Sequence, residues 1–379
     1  MRSSFHGGRE RAGRRCGRWH AGRVTSPQVP QRPAVQSLPA YVPGARADLG
    51  RAHKLSSNEN PFPPLPSVRD AVARAAGALN RYPDMFATEL VEALAAKHHV
   101  EAGSIVAGCG SVAVLGHVLQ GFCDAGDEVV HAWRSFEAYP ILVQLQGAVS
   151  VPVPLTVDGR HDLPAMAAAV TERTRVMLVC SPNNPTGPAI GHAELLELLA
   201  AVPERVLVVL DEAYVEFVRS EDPIDSEQVL AAHPNVVVLR TFSKAYGLAA
   251  LRVGYAVTHP DLARAVRTAS TPFGVNHLAQ VAAMASLEAE GELAERVEAV
   301  VAERERVAER LRAQGWGLPE SQANFVWLPT ADRTVDLASA AARQGVLVRP
   351  FAGEGMRISI GEAAANDRVL ELTRAWGGA

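Results

Sequence analysis

The chain has 379 residues, of which 48% are hydrophobic and 21% charged, with a formal net charge of −4. That is the composition of a soluble globular protein with room for one large core, or for a large and a smaller domain. No apolar run reaches the roughly eighteen residues of a membrane span.

Residues 1–23 hold seven arginines against one glutamate, about +6, which leaves about −10 for the remainder. They have no hydrophobic periodicity and no apolar core, so they are not a secretory signal. They read as a disordered basic tail, with a nucleic-acid-binding arm or an organellar address as alternatives. Residues 24–50, rich in Pro and Gln, read as a linker. Segment 1–50 is thus an arm and linker.

Helical periodicity then marks SVRDAVARAAGAL, TELVEALAAKHH and the stretch from Ser111 to Phe122. Short apolar runs bounded by turn residues follow: DEVVHA, VSVPVP, RVMLVCS, RVLVVLDE and NVVVLRTF, with the helix HAELLELLAAV between two of them. Strands this apolar on both faces, spaced by helices, predict an α/β domain with a mainly parallel sheet covered on each side. This domain is expected over residues 51–275. Long helical material runs from His277 to Gly315 with a break expected near Gly291. The strands NFVWLP, VLVRPF and MRISIG and the helix TVDLASAAARQ predict a smaller α+β domain over 276–379.

In open parallel sheets the ligand sits beyond the carboxyl ends of the strands. Three strands end in polar groups there: RVMLVC runs into SPNNPTG, VLVVL into Asp211-Glu212-Ala213-Tyr214, and NVVVLRTF into Ser243-Lys244. A fourth element, GCGSVAVLG, opens a helix and approximates GxGxxA. Its glycines let backbone N–H groups approach a phosphate. The acid that would grip a ribose is out of place, since Asp124 and Asp127 precede the next strand, so the element reads as an anion site. Cys16, Cys109, Cys123 and Cys180 form no CxxC pair, which argues against a zinc site or a disulfide framework and fits a reducing cytoplasm. A packed thiol is the usual reading of such residues.

SPNNPTG, DEAY and FSKAYGLAALRVG together are far more specific than any one motif. With SNENP, RYPD, GCGS, WRSFEAYP, NHLAQ, ANFVW and RISIG they resemble the fold-type I pyridoxal-phosphate aminotransferases, in particular the histidinol-phosphate and aromatic amino-acid branch. The resemblance spans Leu55 to the C-terminus. It implies pyridoxal 5'-phosphate as cofactor and amino-acid and 2-oxo-acid substrates, with no nucleic-acid or membrane partner.

Residue by residue, the resemblance implies Lys244 as the amine that bonds to the cofactor aldehyde and then moves a proton. Asp211 holds the pyridine nitrogen protonated, Tyr214 and Asn184 bond the ring oxygen, and Phe136 stacks on the ring. Gly110, Ser111, Thr241, Ser243 and Arg252 take the phosphate. Tyr82 reaches that phosphate from the opposite subunit, which implies a homodimer. Where many histidinol-phosphate enzymes have acids after this glycine turn, Val112 and Ala113 stand here. Arg357 takes the substrate carboxylate. Asn60, Phe62 and Asn324 wall the pocket, and Arg349 lies where histidinol-phosphate enzymes meet a distal phosphate. Turn chemistry for Asn184, core packing for Tyr214 and Phe136, and a solvated face for Arg357 are the ordinary alternatives. The short RPFAGEGMR connection, Phe62 and Phe136 favour an aromatic substrate over histidinol phosphate. Two other classes remain: a lyase or decarboxylase on the same scaffold, against which Arg357 argues, and a cofactor-binding regulatory domain whose basic arm touches nucleic acid, against which the acidic body and the lack of a helix-turn-helix or zinc-finger motif argue.

Overall fold

The computed structural model describes residues 29–36, 38 and 52–377. The basic segment 1–23 and most of the linker lie outside the described residues. Within the linker, Pro33–Gln36 form a helical turn, and Arg32 beside it donates from Nη1 to the Leu145 carbonyl at 3.1 Å.

Twelve strands are described. After β1 (His53–Lys54) come β2 (Ile105–Gly108), β3 (Glu128–Trp133), β4 (Val149–Pro154), β5 (Thr174–Cys180), β6 (Leu207–Asp211), β7 (Val236–Thr241) and β8 (Gly254–Thr258). The chain ends with β9 (Phe325–Leu328), β10 (Val346–Leu347), β11 (Arg349–Phe351) and β12 (Gly355–Ser359). Strands β2 to β8 form one sheet in the order β2-β8-β7-β6-β5-β3-β4, parallel apart from the reversed β8. This is the mainly parallel sheet expected. Pro152 and Pro154 sit in β4, an edge strand, where a missing N–H disturbs least.

Both faces of the sheet are covered, so its central strands carry apolar residues toward both faces rather than at alternate positions only. Val208, Leu210, Val236 and Val238 join one core, with Leu195 and Leu198 of helix His192–Ala201. Leu207, Val209, Val237, Leu239, Val176 and Leu178 join the other, under Val114, Val118, Tyr139 and Val143. The period of two carries polar strand ends with it. Asp211 and Thr241 fall on the second face, while Glu212 and Arg240 fall on the first, where they pair at 2.6 Å.

The C-terminal part is a three-stranded antiparallel sheet, β11-β12-β9, and a separate parallel pair, β1-β10. One expectation needs correction. VLVRPF is not one strand, because β10 pairs with β1 while β11 pairs with β12, and the chain changes partners at Val348. The long helix breaks at Ala289, between His277–Glu288 and Glu290–Ala313, near Gly291 as expected. Glu290 and Glu292 sit in the first turn of the second helix, where its dipole favours negative charge.

Candidate active site

A cavity of about 540 Å³ opens beyond the carboxyl ends of β5, β6 and β7 and reaches the small antiparallel sheet. Lys244, Asp211, Tyr214, Asn184, Phe136, Ser111, Thr241, Ser243, Arg252, Arg349 and Arg357 all line it.

The base of the cavity is set by strand phase. Asp211 ends β6 on the face covered by the helix Ala138–Gln146, and Tyr139 of that helix donates from its hydroxyl to Asp211 Oδ2 at 2.7 Å. The other oxygen, Oδ1, is buried without a hydrogen-bond partner. Burial holds the Asp211 carboxyl above its usual range, with the Tyr139 hydroxyl opposing. A cationic N–H in the cavity is what would satisfy Oδ1 and favour the ionised form of this acid.

Lys244 follows β7 and lines the cavity, its Nζ 3.5 Å from the Ser57 carbonyl and 5.6 Å from the centroid of the Tyr214 ring. Burial, with the positive charge of Arg357 next, lowers the lysine to about 7. Asn60 does not line the cavity. It braces the lysine from behind, donating from Nδ2 to the Ala245 carbonyl at 2.8 Å. The Tyr214 hydroxyl accepts from Asn58 Nδ2 at 2.9 Å, and Asn58 is fixed in turn by Ser359 of β12. Burial raises the Tyr214 phenol well above its ordinary value.

An anion cradle lies at the other side. Ser111 begins the helix Ser111–Phe122 behind Gly110, whose φ of 81° is open to glycine. A Cβ on Gly110 would stand 2.5 Å from Arg252 Nη2, so the glycine lets the guanidinium close over the helix start. Arg252 itself has φ 59° and donates to Ser243 Oγ at 3.3 Å. A left-handed arginine is costly for a side chain, and such strain gathers at functional sites. Backbone N–H groups at a helix start, two hydroxyls and a guanidinium suit a phosphate.

In SPNNPTG the two asparagines divide the work. Asn183 builds the loop, accepting from Ser135 Oγ and donating to Thr186 Oγ1, both at 2.7 Å. Asn184 instead turns to the cavity and accepts from Arg357 Nη1. Arg357 also donates to the Ser56 carbonyl at 2.9 Å. Its cross-strand partner Arg349 is joined to Glu137 at 2.7 Å.

Besides Asn60, three expected residues do not line this chain's cavity. Phe62 is 38% exposed with the Arg296 guanidinium 5.8 Å from its ring, and Tyr82 lies on the surface against Phe273. Asn324 is buried behind Asn58, donating to its carbonyl at 3.1 Å. Tyr139, Asn58 and Glu137 were not expected in the site. For Tyr139 a signal exists, because it follows Phe136 by three residues at the start of a helix.

Residues 52–372 match the model of the family described as aminotransferase class I and II. The chain belongs to this family. It is 54% identical over 351 residues to the aromatic amino acid aminotransferase of Streptomyces coelicolor, covering 92% of this chain and 97% of that one. It is 55% identical over 347 residues to the protein of the same name from Thermobifida fusca, covering 91% and 96%. Among solved structures, histidinol-phosphate aminotransferase from Sinorhizobium meliloti in complex with pyridoxal-5'-phosphate superposes with a TM-score of 0.85 at 29% identity, covering 93% of this chain and all of that one. The aminotransferase activity expected from the motifs is therefore the activity of the family.

Proposed function

We propose that this chain moves an amino group between an aromatic L-amino acid, phenylalanine or tyrosine, and a 2-oxo acid such as 2-oxoglutarate, with pyridoxal 5'-phosphate as cofactor. The carrying observation is that Lys244, Asp211 and Arg357 face one cavity, Asp211 with an unsatisfied buried oxygen. The aromatic substrate is favoured by the relatives at 54% and 55% identity. The histidinol-phosphate enzyme is similar at 29%.

Bound in this cavity, the cofactor supplies an electron sink for the charge left at the substrate α-carbon. The remaining work belongs to the chain. Asp211 Oδ1 would accept the ring N–H and keep that nitrogen protonated. Lys244 Nζ, neutral above about pH 7, would take the proton that leaves the α-carbon. Tyr214 and Asn184 would hydrogen-bond the ring oxygen, and Phe136 would cover the ring. Gly110, Ser111, Thr241, Ser243 and Arg252 would hold the phosphate. Arg357 orients the substrate carboxylate through parallel N–H groups.

We further infer a homodimer acting in the cytoplasm. Leu79, Tyr82, Met85, Phe86 and Phe273 are exposed apolar side chains, and Tyr82 and Phe273 stack with centroids 4.7 Å apart. An apolar patch of this kind calls for a partner, and a second copy would present Tyr82 to its neighbour's phosphate site. The described cysteines, Cys109, Cys123 and Cys180, are free thiols, in keeping with a reducing compartment.

The test is direct. Borohydride treatment of the loaded protein, followed by peptide mass mapping, should place the pyridoxyl mass on Lys244, and Lys244→Ala should lose about 10³-fold in turnover. Phenylalanine should exceed histidinol phosphate in kcat/KM by at least about tenfold. The opposite preference would replace the aromatic reading with the histidinol-phosphate one.

A further inference from the structure

Two arginines stand side by side in the cavity. Arg349 of β11 and Arg357 of β12 are direct cross-strand partners in an antiparallel pair, so their side chains share a face. Their hydrogen-bond partners among the described residues differ in charge. Arg357 donates to neutral oxygens, those of Asn184 and Ser56. Arg349 donates from Nη2 to the Glu137 carboxylate at 2.7 Å, and Glu137 lines the same cavity.

Glu137 is the residue immediately before the helix Ala138–Gln146, a place where an acid commonly caps backbone N–H groups. Its side chain makes no such cap bond. It leaves the helix end and reaches across the cavity to a strand 212 residues further on. Capping therefore does not account for its position. The arginine is nearly buried, with 10% of its side chain exposed, whereas the acid keeps 29% exposed. A substrate that sets its carboxylate on Arg357 thus has its side chain beside a pair whose outer member is negative.

We propose that Glu137 is a specificity determinant: by neutralising Arg349 it gives the side-chain end of the cavity no net positive charge, which favours neutral side chains and disfavours anionic ones. This rests on the aminotransferase reading above and names the substrate class of that site. A monoanionic end must share Arg349 with Glu137, and a dianionic end meets the acid's repulsion twice over. The expected order of acceptance is neutral, then monocarboxylate, then phosphate monoester. The amino acceptor, with its second carboxylate, is tolerated rather than preferred.

The test measures affinity, not turnover. The loaded protein is titrated with two unreactive analogues, 3-phenylpropanoate and glutarate. Glu137→Gln should tighten glutarate about tenfold, equivalent to ~1.4 kcal/mol, and change 3-phenylpropanoate by less than about threefold. Adding Arg349→Gln should remove the gain, since the cation that Glu137 had masked is then gone. Should Glu137→Gln not fold, Glu137→Ala carries the same expectation. An unchanged glutarate affinity, or a gain that persists in the double variant, overturns the proposal. Wild-type turnover of phenylalanine is measured in parallel. A protein that turns it over yet shows no glutarate response refutes the role of Glu137 alone, whereas a protein without turnover refutes the functional reading.

Discussion

At the scale of single residues, the state of Lys244 matters most. Burial and then the positive charges of Arg357 and Arg252 depress it, Glu59 and Asp211 oppose them, and the balance lies near 7 rather than at 10.5. The lowered value means that the amine is protonated below about pH 7 and nucleophilic above it. In the cofactor-free protein, labelling of Lys244 by an amine-reactive reagent should rise through a midpoint near 7. A midpoint near 10 would show that the site does not desolvate the amine. Lys244, Asp211, Asn184 and Arg357 were legible from the sequence because each stands in a motif, the first three at or just beyond the carboxyl end of a strand. Tyr139 and Asn58 lie in the motifs WRSFEAYP and SNENP, but their roles were not legible, since the contacts that recruit them cross 72 and 156 residues. Such pairings are made by packing, which a local motif does not record.

Among the elements, the period of two along β6 and β7 decides which strand ends face the cavity, and this much follows from the apolar runs themselves. Strand β8 lay outside the expected strands, a five-residue segment that directly follows the lysine motif. Its first residue is where sheet and cradle meet. A Cβ on Gly254 would stand 2.4 Å from the Ser111 nitrogen and 2.9 Å from the Arg240 carbonyl oxygen. Gly254→Ala should therefore push the helix start away from the phosphate position, at a cost of about 1–3 kcal/mol. Thermal unfolding together with cofactor titration reads both effects. If both stay at wild-type values, the helix start has slack that the packing does not suggest. The splitting of VLVRPF was invisible for a different reason, because an apolar run does not record which neighbour each half will choose.

For the whole molecule, the proposed dimer makes a prediction that no single-chain explanation shares. A Tyr82→Ala chain keeps its own Lys244, and a Lys244→Ala chain keeps its own Tyr82. If Tyr82 serves the neighbouring site, each mixed dimer has one of its two sites complete and should run at about half the wild-type rate, so an equal mixture after subunit exchange should recover about a quarter. Activity no greater than the sum of the separate variants would place Tyr82 outside the chemistry. The proposed division into 51–275 and 276–379 was read from the change in element pattern, yet one strand crosses it. β1 belongs to the first part and pairs with β10 of the second.

That crossing strand has a practical meaning for anyone shortening the protein. The same short stretch supplies the Ser56 carbonyl to Arg357, the Ser57 carbonyl beside Lys244 and the Asn58 amide to Tyr214. A deletion that runs past Ala52 would unfasten a belt buckled across both halves. The shortened chain would be expected to lose its grip on the vitamin before it lost its helices.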